Sequence, residues 1–381
     1  MMRYFPLGIA IIGICCFGCR DQKSQTGEDQ QNQRSAETPV TSDWALLPFA
    51  KTDSANPILL PLRTTTFACP ITQQKVYWEA NDVYNPSAIV RLGKVYLIYR
   101  AEDTVRAVNG TSRLGLAESE DGIHFRRLPE PIFYPDNDEM KKYEWRGGCE
   151  DPRIIEDSTS TYWMTYTAYD GKIARLCIAS SPDLRKWQKH GLVFKNPKHQ
   201  NMWSKSGAIV GKYSPGGRLI ATRINGKFWM YWGENGLIAT SADLKSWEFL
   251  ADEKGEPKSV LPMRADQEFF DNALVEPGPP AILTEKGILL IYNGASIDKA
   301  KGGIANYCGG QALFAATDPT KLLARLDKPF IQPEKDYELL GQVNKVTFVE
   351  GLVFYQNHWF LYYGTADSKI AVAVSNAVLF K

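Results

Sequence analysis

The chain has 381 residues, and its 44 Lys and Arg nearly balance its 43 Asp and Glu, giving a formal net charge of +1. A chain without a basic surplus lacks the charge pattern of nucleic-acid binding, so we expect no nucleic-acid partner. The length fits one large β-rich unit, and the 45 aromatic residues (10 Trp, 18 Tyr and 17 Phe) fit strands or surfaces that stack on sugar rings.

The N-terminus carries the features of an export signal. Arg3 precedes an apolar run, Phe5–Phe17, that is too short to span a bilayer as a mature helix. The run ends in a sequence that resembles a bacterial lipobox, with Cys19 as the predicted lipid-bearing residue and Cys16 as the weaker candidate. We therefore predict a lipoprotein signal peptide over residues 1–19. The mature protein would be exported and anchored in the bacterial envelope, and the lipid at Cys19 would be its only membrane contact.

Beyond the leader, residues 20–43 are polar and predict a flexible tether, and residues 44–381 predict a single catalytic domain. The cysteines of this domain are Cys69, Cys149, Cys177 and Cys308, and its histidines are His124, His190, His199 and His358. None of these four cysteines has the CxxC spacing of a zinc or redox site, and no histidine lies in the strongest motifs. We predict no metal and no organic cofactor. One disulfide is compatible with export, but the sequence does not pair the cysteines.

A short motif recurs along the domain, with a small residue, an acidic residue two positions later, and then an aromatic residue. The copies are Ser119–Phe125, Ser181–Trp187, Ser241–Trp247 and Ala316–Leu322, the last with leucine in place of the aromatic. Their spacing of about 60 to 75 residues is too long for one hairpin and suits one blade of a propeller.

Five pairs of strand-like segments accompany these motifs. They are Ser87–Arg91 with Val95–Arg100, Pro152–Glu156 with Tyr162–Tyr169, Ala208–Val210 and Leu219–Arg223 with Phe228–Trp232, Pro280–Leu283 with Ile288–Asn293, and Leu352–Tyr355 with His358–Tyr363. Five matched units predict an all-β chain that folds as a single five-bladed β-propeller. The N-terminal portion is expected to close the ring against the last strand, Ile370–Ser375. Two packed β-sandwiches are the alternative, but they give no reason for five matched units.

Polar residues occur where the innermost strand of each predicted blade begins. These starts are Asn85-Pro86, Glu150-Asp151, Lys205-Ser206-Gly207, Glu276-Pro277-Gly278 and the stretch near Glu350. Hydrolysis of a glycosidic bond needs one carboxylic acid and a second carboxylate that acts on water or on the anomeric carbon. Asp151, Glu234 and Glu276 are therefore the candidate catalytic residues. For each one alone, a loop ion pair or a calcium ligand is the alternative.

Several motifs, taken in order, resemble those of glycoside hydrolase family 130. They are Asn85-Pro86, Tyr99–Asp103, Gly110–Ala117, Glu150–Arg153, Tyr166–Asp170, Gly278–Pro280, Tyr292–Gly294 and Tyr362–Asp367. The resemblance extends over residues 80–375. It implies a five-bladed fold and inverting action on β-mannosides, in a family that contains both phosphorylases and hydrolases.

The resemblance also implies roles for individual residues. Asp151 matches the family's proton donor, which in the phosphorylases is thought to act through a sugar hydroxyl. The residues that match positions holding the sugar in the −1 subsite are Asn85, Arg100, Asp103 and Asp367, with Arg113 as a further candidate. Arg153 and Lys205 complete the predicted substrate-binding set, Lys205 as a residual phosphate contact.

Two glutamates depart from the pattern of the family's phosphorylases. Those enzymes typically carry a His-Arg pair after the segment that matches Ile224–Phe228, whereas here Glu234 follows. Glu276 likewise occupies a stretch that usually lacks an acid. A carboxylate in a partly desolvated pocket repels a phosphate dianion, so we predict that one of these glutamates serves as general base for water.

The predicted function is that of an inverting glycosidase that releases mannose from β-mannosides, with β-1,2-linked manno-oligosaccharides as substrate. A mannoside phosphorylase is the alternative within the family, although a phosphorylated sugar released outside the cytoplasm loses its energetic advantage. A non-catalytic glycan-binding lipoprotein is the alternative from another class, but a binding protein needs no paired acid and base.

Overall fold

In the computed structural model, which describes residues 43–104, 110–266, 268–297 and 303–377, strands dominate and helix is confined to short turns. These turns are α1 (Lys141–Glu144), α2 (Asp336–Leu339) and a 3₁₀ turn at Pro197–His199. The prediction of an all-β chain is confirmed. The predicted signal peptide, Cys19 and residues 20–42 of the tether lie outside the described residues. Within the described ranges, no helix is long and apolar enough to cross a membrane.

Most strands belong to five antiparallel meanders, numbered here in chain order. Three short strands precede them: β1 (Ala50–Lys51), β2 (Phe67–Ala68) and β3 (Lys75–Val76). Meander 1 contains β4 (Asp82–Arg91), β5 (Lys94–Glu102), β6 (Ser112–Ser119) and β7 (Arg126–Arg127). Meander 2 contains β8 (Gly148–Glu156), β9 (Tyr162–Tyr169), β10 (Ala174–Ser181) and β11 (Gln188–Leu192).

The later meanders follow the same plan with small additions. Meander 3 contains β12 (Ala208–Tyr213), β13 (Leu219–Ala221), β14 (Arg223–Ile224), β15 (Lys227–Trp232), β16 (Leu237–Ser241) and β17 (Trp247–Phe249). Meander 4 contains β18 (Leu274–Pro277), β19 (Ala281–Thr284), β20 (Gly287–Ile297), β21 (Ile304–Ala315) and β22 (Asp318–Arg325). Meander 5 contains β23 (Thr347–Tyr355), β24 (His358–Thr365) and β25 (Lys369–Ser375). Strand β1 pairs with β25, so the N-terminal portion completes meander 5 as predicted.

The hydrophobic core lies between consecutive meanders. Ile98 of meander 1 packs with Met164 of meander 2 in one such cluster, and similar clusters join meanders 2 and 3, 3 and 4, and 4 and 5. Leu97 of meander 1 packs with Tyr362 of meander 5, so the order of packing is cyclic. Because each meander is covered on both faces, its strands are apolar on both faces, which explains the incomplete alternation in the sequence. Burial of each large apolar side chain contributes about 1.5–3 kcal/mol.

The recurring Ser-x-Asp motif forms the turn before the last strand of meanders 1, 2 and 3, between β6 and β7, β10 and β11, and β16 and β17. In meander 2, Ser181 Oγ accepts a hydrogen bond from Leu184 N at 2.9 Å. Asp183 Oδ1 accepts two more, from Arg185 N and Lys186 N, both at 2.9 Å. The copies that begin at Ser119 and Ser241 repeat these contacts. The motif therefore satisfies backbone N–H groups of a tight turn.

The prediction of a fourth copy at Ala316–Leu322 is wrong in structural terms. Strand β21 ends at Ala315 and β22 already begins at Asp318, so the connection is shorter than in the other meanders. Ala316 has no hydroxyl to accept the hydrogen bond that Ser181 receives, and Asp318 Oδ1 instead accepts from Thr320 N at 3.0 Å. The segment therefore lacks the serine acceptor of the other copies and forms a shorter turn.

Candidate active site

Two β-bulges bring Asn85 and Asp151 together. The pairing of β4 with β5 changes register at Asn85, and that of β8 with β9 changes at Asp151 and Pro152. Asn85 and Asp151 have φ angles of 46° and 49°, a left-handed conformation that costs non-glycine residues about 1–3 kcal/mol each. Each is followed by a proline, which has no N–H to lose from the ladder. Asn85 Nδ2 donates to Asp151 Oδ1 at 2.9 Å.

Arg100 lies at the centre of a group of carboxyl side chains. Its Nη1 donates to Asp151 Oδ1 at 3.2 Å. Its Nη2 donates to Glu150 Oε1 at 2.9 Å and to Glu102 Oε1 at 2.8 Å. The guanidinium also lies over the ring of Tyr84, 4.7 Å from its centroid. One cation thus holds three acids at a partly buried position.

Burial and mutual repulsion separate the pKa values of the two neighbouring acids. Burial raises the pKa of Glu150 to about 7, with the charges of Asp151 and Glu102 adding to the effect and Arg100 opposing it. Burial also acts upward on Asp151, but Arg100, Arg153 and the hydrogen bond from Asn85 outweigh it and lower its pKa. In this coupled pair Glu150 is the partner that holds a proton near neutral pH, and Asp151 is the ionised one.

Asp367 is the acid of the group with the fewest protein partners. It lies between β24 and β25 and also has a left-handed backbone, with a φ angle of 49°. Burial raises its pKa to about 7, Asp151 and Glu102 add to this, and Arg100 opposes it. Within the described ranges, its carboxyl group makes no hydrogen bond or ion pair, so its oxygens are available to a sugar hydroxyl.

A second group of side chains brings both predicted glutamates to one lysine. Lys205 Nζ lies 2.9 Å from Glu234 Oε1 and 3.4 Å from Glu276 Oε1. Two neighbours of Lys205 add further donors: Trp203 Nε1 donates to Glu234 Oε2 at 3.1 Å, and Ser206 Oγ donates to Glu276 Oε1. Burial opposes the charge of Lys205, but Glu276 and Glu234 raise its pKa above the ordinary value. The residues Trp203–Ser206, just before β12, therefore hold both glutamates.

The two groups act on each other electrostatically. The charge of Lys205 opposes the rise in the pKa values of Glu150 and Asp367 and adds to the lowering of the pKa of Asp151. In turn, Asp151 contributes to the raised pKa of Lys205. The structure therefore brings the following predicted residues into one site: Asn85, Arg100, Asp151, Lys205, Glu234, Glu276 and Asp367.

Two other predicted substrate ligands are paired with each other in the interior. Arg113 Nη1 lies 2.6 Å from Asp103 Oδ2, and the side chains are 2% and 1% exposed. Asp103 Oδ1 accepts a further hydrogen bond from Thr111 N at 3.0 Å. In this arrangement the pair connects the end of β5 to the start of β6. Contact of these side chains with sugar stays a prediction.

Arg153 is buried as well, and its described donors point to protein acceptors. Its Nε donates to Gly278 O and its Nη2 to Pro277 O, both at 2.8 Å. Nη2 also lies 3.5 Å from Glu350 Oε2, whose pKa burial raises well above the usual range. Arg153 therefore ties meander 2 to meanders 4 and 5 and influences the site by lowering the pKa of Asp151.

The prediction missed several polar residues that support the site. Gln342 Nε2 donates to Glu102 Oε2 at 2.8 Å and to Asp82 Oδ2 at 3.2 Å. Ser368 Oγ donates to Asp82 Oδ1 at 2.6 Å. Glu102 carried a usable signal, because it lies two residues after Arg100 on one strand and therefore on the same face. Gln342 and Asp82 are 260 positions apart, and no local pattern joins them.

The described cysteines, Cys69, Cys149, Cys177 and Cys308, are buried with free thiols, so none of them forms the disulfide that the sequence left open. In the part of the chain that the structure describes, no group of three or more His, Cys, Asp and Glu side chains has a metal-binding arrangement.

Comparison of the sequence with known proteins finds a matching family model and similar curated proteins. The model of the β-1,4-mannooligosaccharide phosphorylase family, glycoside hydrolase family 130, matches residues 50–379. A curated relative, the 1,2-β-oligomannan phosphorylase of Thermoanaerobacter sp. (strain X514), is 32% identical over 310 residues, which cover 78% of this chain and 90% of that protein.

Two solved structures are more similar in sequence. A glycosyl hydrolase from Bacteroides ovatus is 43% identical with a TM-score of 0.83, covering 88% of this chain and 95% of the other. The second structure accompanies the finding that the family of mannoside phosphorylases contains glycoside hydrolases that target β-1,2 mannosidic linkages in Candida mannan. It is 44% identical with a TM-score of 0.85, covering 90% of this chain and 98% of the other.

Proposed function

The chain belongs to glycoside hydrolase family 130, and from this we propose that it is an inverting β-mannosidase that releases mannose from β-1,2-linked manno-oligosaccharides. One observation favours water over phosphate as the acceptor: two carboxylates contact Lys205. Its Nζ lies 2.9 Å from Glu234 Oε1 and 3.4 Å from Glu276 Oε1. A phosphate dianion would have to approach this lysine against both negative charges. Repulsion of that kind is strong in a partly desolvated site.

Glu234 and Glu276 are suited to activate water. General-base catalysis requires a carboxylate held in place beside the attacking water. Glu276 is 1% exposed and held by Lys205 and Ser206, whereas Glu234 is 37% exposed. Water reaches the pair from the exposed side, and the lysine holds both carboxylates in position.

Asp151 delivers the proton to the departing sugar in this proposal. Its lowered pKa alone is unsuited to a proton donor, but Glu150 beside it has a pKa of about 7. The two acids share one proton near neutrality, and a bound sugar that excludes water shifts the proton toward Asp151. From there it passes to the glycosidic oxygen, directly or through a sugar hydroxyl. Asp367, Asn85 and Arg100 hold the sugar whose bond is cleaved.

The experiment that tests the proposal measures the rate of β-1,2-mannobiose cleavage with and without inorganic phosphate. We expect mannose to form at the same rate in both cases, because water is the acceptor. Cleavage that requires phosphate would contradict the proposal. β-1,4-Mannobiose serves as the linkage control and should be cleaved more slowly.

A β-mannoside phosphorylase is the second candidate, and the comparisons favour it about equally. The family model and the Thermoanaerobacter relative are both described as phosphorylases. Lys205 also remains at the site as a cation that phosphate could use if a glutamate moved aside. In that case mannose 1-phosphate would be the product of the phosphate experiment.

We also propose that the five meanders are the blades of a five-bladed β-propeller. The cyclic order of their packing supports this arrangement. So does the placement of four site residues, Asn85, Asp151, Lys205 and Glu276, at or just before the first strand of meanders 1 to 4. Small-angle scattering of the purified domain, compared with the profile expected for a five-bladed propeller, tests this proposal.

Export and lipid anchoring at Cys19 remain a further proposal, supported by the lipobox-like sequence Cys16–Cys19. Labelling of cells with a fatty-acid analogue should mark the wild-type protein and leave Cys19→Ala unmarked. Equal labelling of Cys16→Ala and the wild type would assign the lipid to Cys19, whereas loss of labelling in Cys16→Ala alone would contradict that assignment.

A further inference from the structure

A cavity of about 650 Å³ lies at the last strand of meander 2, away from the candidate active site. Residues within 132–140 form one wall, and residues within 185–191 form the other. Strand β11 is three strand positions from β8, which carries Asp151, so the cavity lies roughly 14 Å or more from that acid. The volume is within the range of sites that bind small ligands.

A mostly buried lysine holds the two walls of this cavity together. Lys189 Nζ donates to Tyr134 O at 2.9 Å and lies 3.2 Å from Asp138 Oδ2, so it joins its own strand to the opposite wall. Its third contact is Glu144 Oε2 at 2.6 Å, and the Glu144 side chain is completely buried. A cleft whose walls are held in this way loses little conformational freedom when a ligand binds.

Trp187 supplies an aromatic surface to the cavity. Its indole Nε1 donates to Leu184 O at 3.1 Å, so the partly exposed ring offers its face rather than a donor. The matching residue of the next Ser-x-Asp turn, Trp247, makes the same bond to Leu244 O at 3.0 Å but is only 2% exposed. Trp187 and Lys186 also line a second cavity of about 350 Å³. A ligand that crosses the ring of Trp187 therefore reaches both cavities.

The charged side chains that line the first cavity balance each other. Its acidic residues are Asp136, Asp138 and Glu139, and its basic residues are Arg185, Lys186 and Lys189. Burial and the charges of Lys245 and Lys195 lower the pKa of His190, which is therefore neutral at pH 7. A lining without net charge favours an uncharged ligand over a polyanion or a polycation. Ionised groups of both signs also make strong hydrogen bonds to hydroxyl groups.

We propose that the two cavities form one groove across Trp187, which binds an extended, uncharged oligosaccharide away from the active site. The aromatic face stacks on a sugar ring, and the charged groups of both walls bond to its hydroxyls. The occupant is a β-1,2-linked mannan chain, a choice that rests on the proposed function. Binding of the polymer in the groove raises the local concentration of its chain ends at the active site.

Affinity electrophoresis of the full chain in gels that contain β-1,2-linked mannan tests the groove. Measured against gels without glycan, Trp187→Ala should lose at least about tenfold in affinity relative to the wild type, equivalent to about 1.4 kcal/mol. The loss is expected because the variant lacks the ring that both cavities share. A folded Trp187→Ala variant that is retained as strongly as the wild type would overturn the inference.

Lys186→Ala repeats the test without disturbing the packing around the groove. The Lys186 side chain is exposed and makes no hydrogen bond or ion pair within the described ranges, so its truncation leaves the fold intact. We expect Lys186→Ala to lose about threefold in affinity for mannan, as for the loss of one hydrogen bond. Should Trp187→Ala fail to fold, wild-type retention of Lys186→Ala would overturn the inference in its place.

Trp229 of meander 3 provides a matched control. It is partly exposed, its indole Nε1 donates to Ile224 O at 2.9 Å, and it lines neither cavity. Trp229→Ala should therefore bind mannan as the wild type does. A loss equal to that of Trp187→Ala would show a general effect of removing an indole and would contradict the assignment of the groove.

Kinetics with a short and a long substrate separate this inference from the proposed function. Trp187→Ala should cleave β-1,2-mannobiose at the wild-type rate, because the disaccharide needs only the active site, and cleave the polymer more slowly. If the wild type hydrolyses mannobiose and Trp187→Ala matches it on both substrates and in retention, only the groove fails. If the wild type does not hydrolyse mannobiose but is retained by mannan through Trp187, only the proposed function fails. Stronger retention by polygalacturonate, an anionic polymer, would contradict an uncharged ligand.

Discussion

Acidic side chains in two regions of the molecule have opposite environments. In the Ser-x-Asp turns, Asp121, Asp183 and Asp243 each accept two backbone N–H bonds at 2.8 to 2.9 Å. Although burial acts in the opposite direction, hydrogen bonds lower the pKa of each of these three aspartates. At the site, burial raises the pKa values of Glu150 and Asp367 to about 7.

This difference separates aspartates that stabilise the fold from acids that are arranged for chemistry. A carboxylate whose charge is met by backbone N–H groups favours the folded state at neutral pH. A carboxyl group that is buried beside other acids disfavours it, and persists because the surrounding strands hold it there. The left-handed backbone of Asn85, Asp151 and Asp367 adds strain in the same region.

The largest expected effect is on catalysis and belongs to Asp151. Asp151→Asn keeps the shape of the side chain but cannot pass a proton, so we expect kcat for β-1,2-mannobiose to fall about 10³-fold. Asp183→Asn, in the turn of meander 2, should leave kcat unchanged. Steady-state kinetics of both variants measure the contrast, and equal losses would erase the distinction between the two regions.

The glutamates held by Lys205 come next. Glu276→Gln and Glu234→Gln should each lower kcat about 10²-fold, because one of them is the base and the other shares its lysine. Glu248→Gln, an exposed change on β17, is the matched control and should have wild-type kinetics. A wild-type kcat in both Glu276→Gln and Glu234→Gln would mean that neither acts on water.

The next prediction concerns stability and its dependence on pH. The pKa of Asp367 rises from about 3.9 in the unfolded chain to about 7 in the fold, so the folded state binds more protons between these values. The destabilisation by Asp367 therefore grows from pH 4 to pH 7 and is constant above. Asp367→Asn should raise the free energy of unfolding by about 4 kcal/mol at pH 8, which corresponds to a pKa rise from about 3.9 to about 7, and have little effect at pH 4. Urea unfolding at both pH values measures this, and a pH-independent difference would argue against a raised pKa.

The smallest expected effect has the opposite sign and belongs to the turns. Asp183→Ala removes the acceptor of two backbone N–H bonds and should lower the free energy of unfolding by about 1–2 kcal/mol at pH 7 without changing kcat. The pKa of Asp183 is lowered in the fold, so its stabilisation is present above the unfolded value and is lost as the pH falls through the folded value. The deficit of the variant should therefore shrink below about pH 4. A deficit that grows on acidification would contradict this account.

Much of the strand pattern could be predicted because apolar runs and turn residues are local signals. The predicted segments Val95–Arg100 and Tyr162–Tyr169 correspond to β5, Lys94–Glu102, and to β9, Tyr162–Tyr169. The first residues of the strands that carry site residues were harder to predict. Strand β4 begins at Asp82, five positions before the predicted Ser87, because a bulge at Asn85 interrupts the pattern there.

The candidate site could be predicted by residue type and position but not by partner. The need of glycoside hydrolysis for paired carboxylates identified Asp151, Glu234 and Glu276, and position at the strand starts identified Lys205. The family resemblance then assigned the role of proton donor to Asp151. That Lys205 binds both glutamates depends on side chains that meet from meander 3, meander 4 and the segment just before meander 3, which no local pattern encodes. The ion pair between Asp103 and Arg113 is likewise a contact that no local pattern encodes.

The most direct test of the central claim follows the first product of β-1,2-mannobiose cleavage by proton NMR in phosphate buffer. The account predicts α-mannose as the first-formed sugar, because water attacks with inversion while Lys205 is engaged by Glu234 and Glu276. Accumulation of α-mannose 1-phosphate would show that phosphate is the acceptor, and β-mannose as the first product would show retention. Either result would contradict the account.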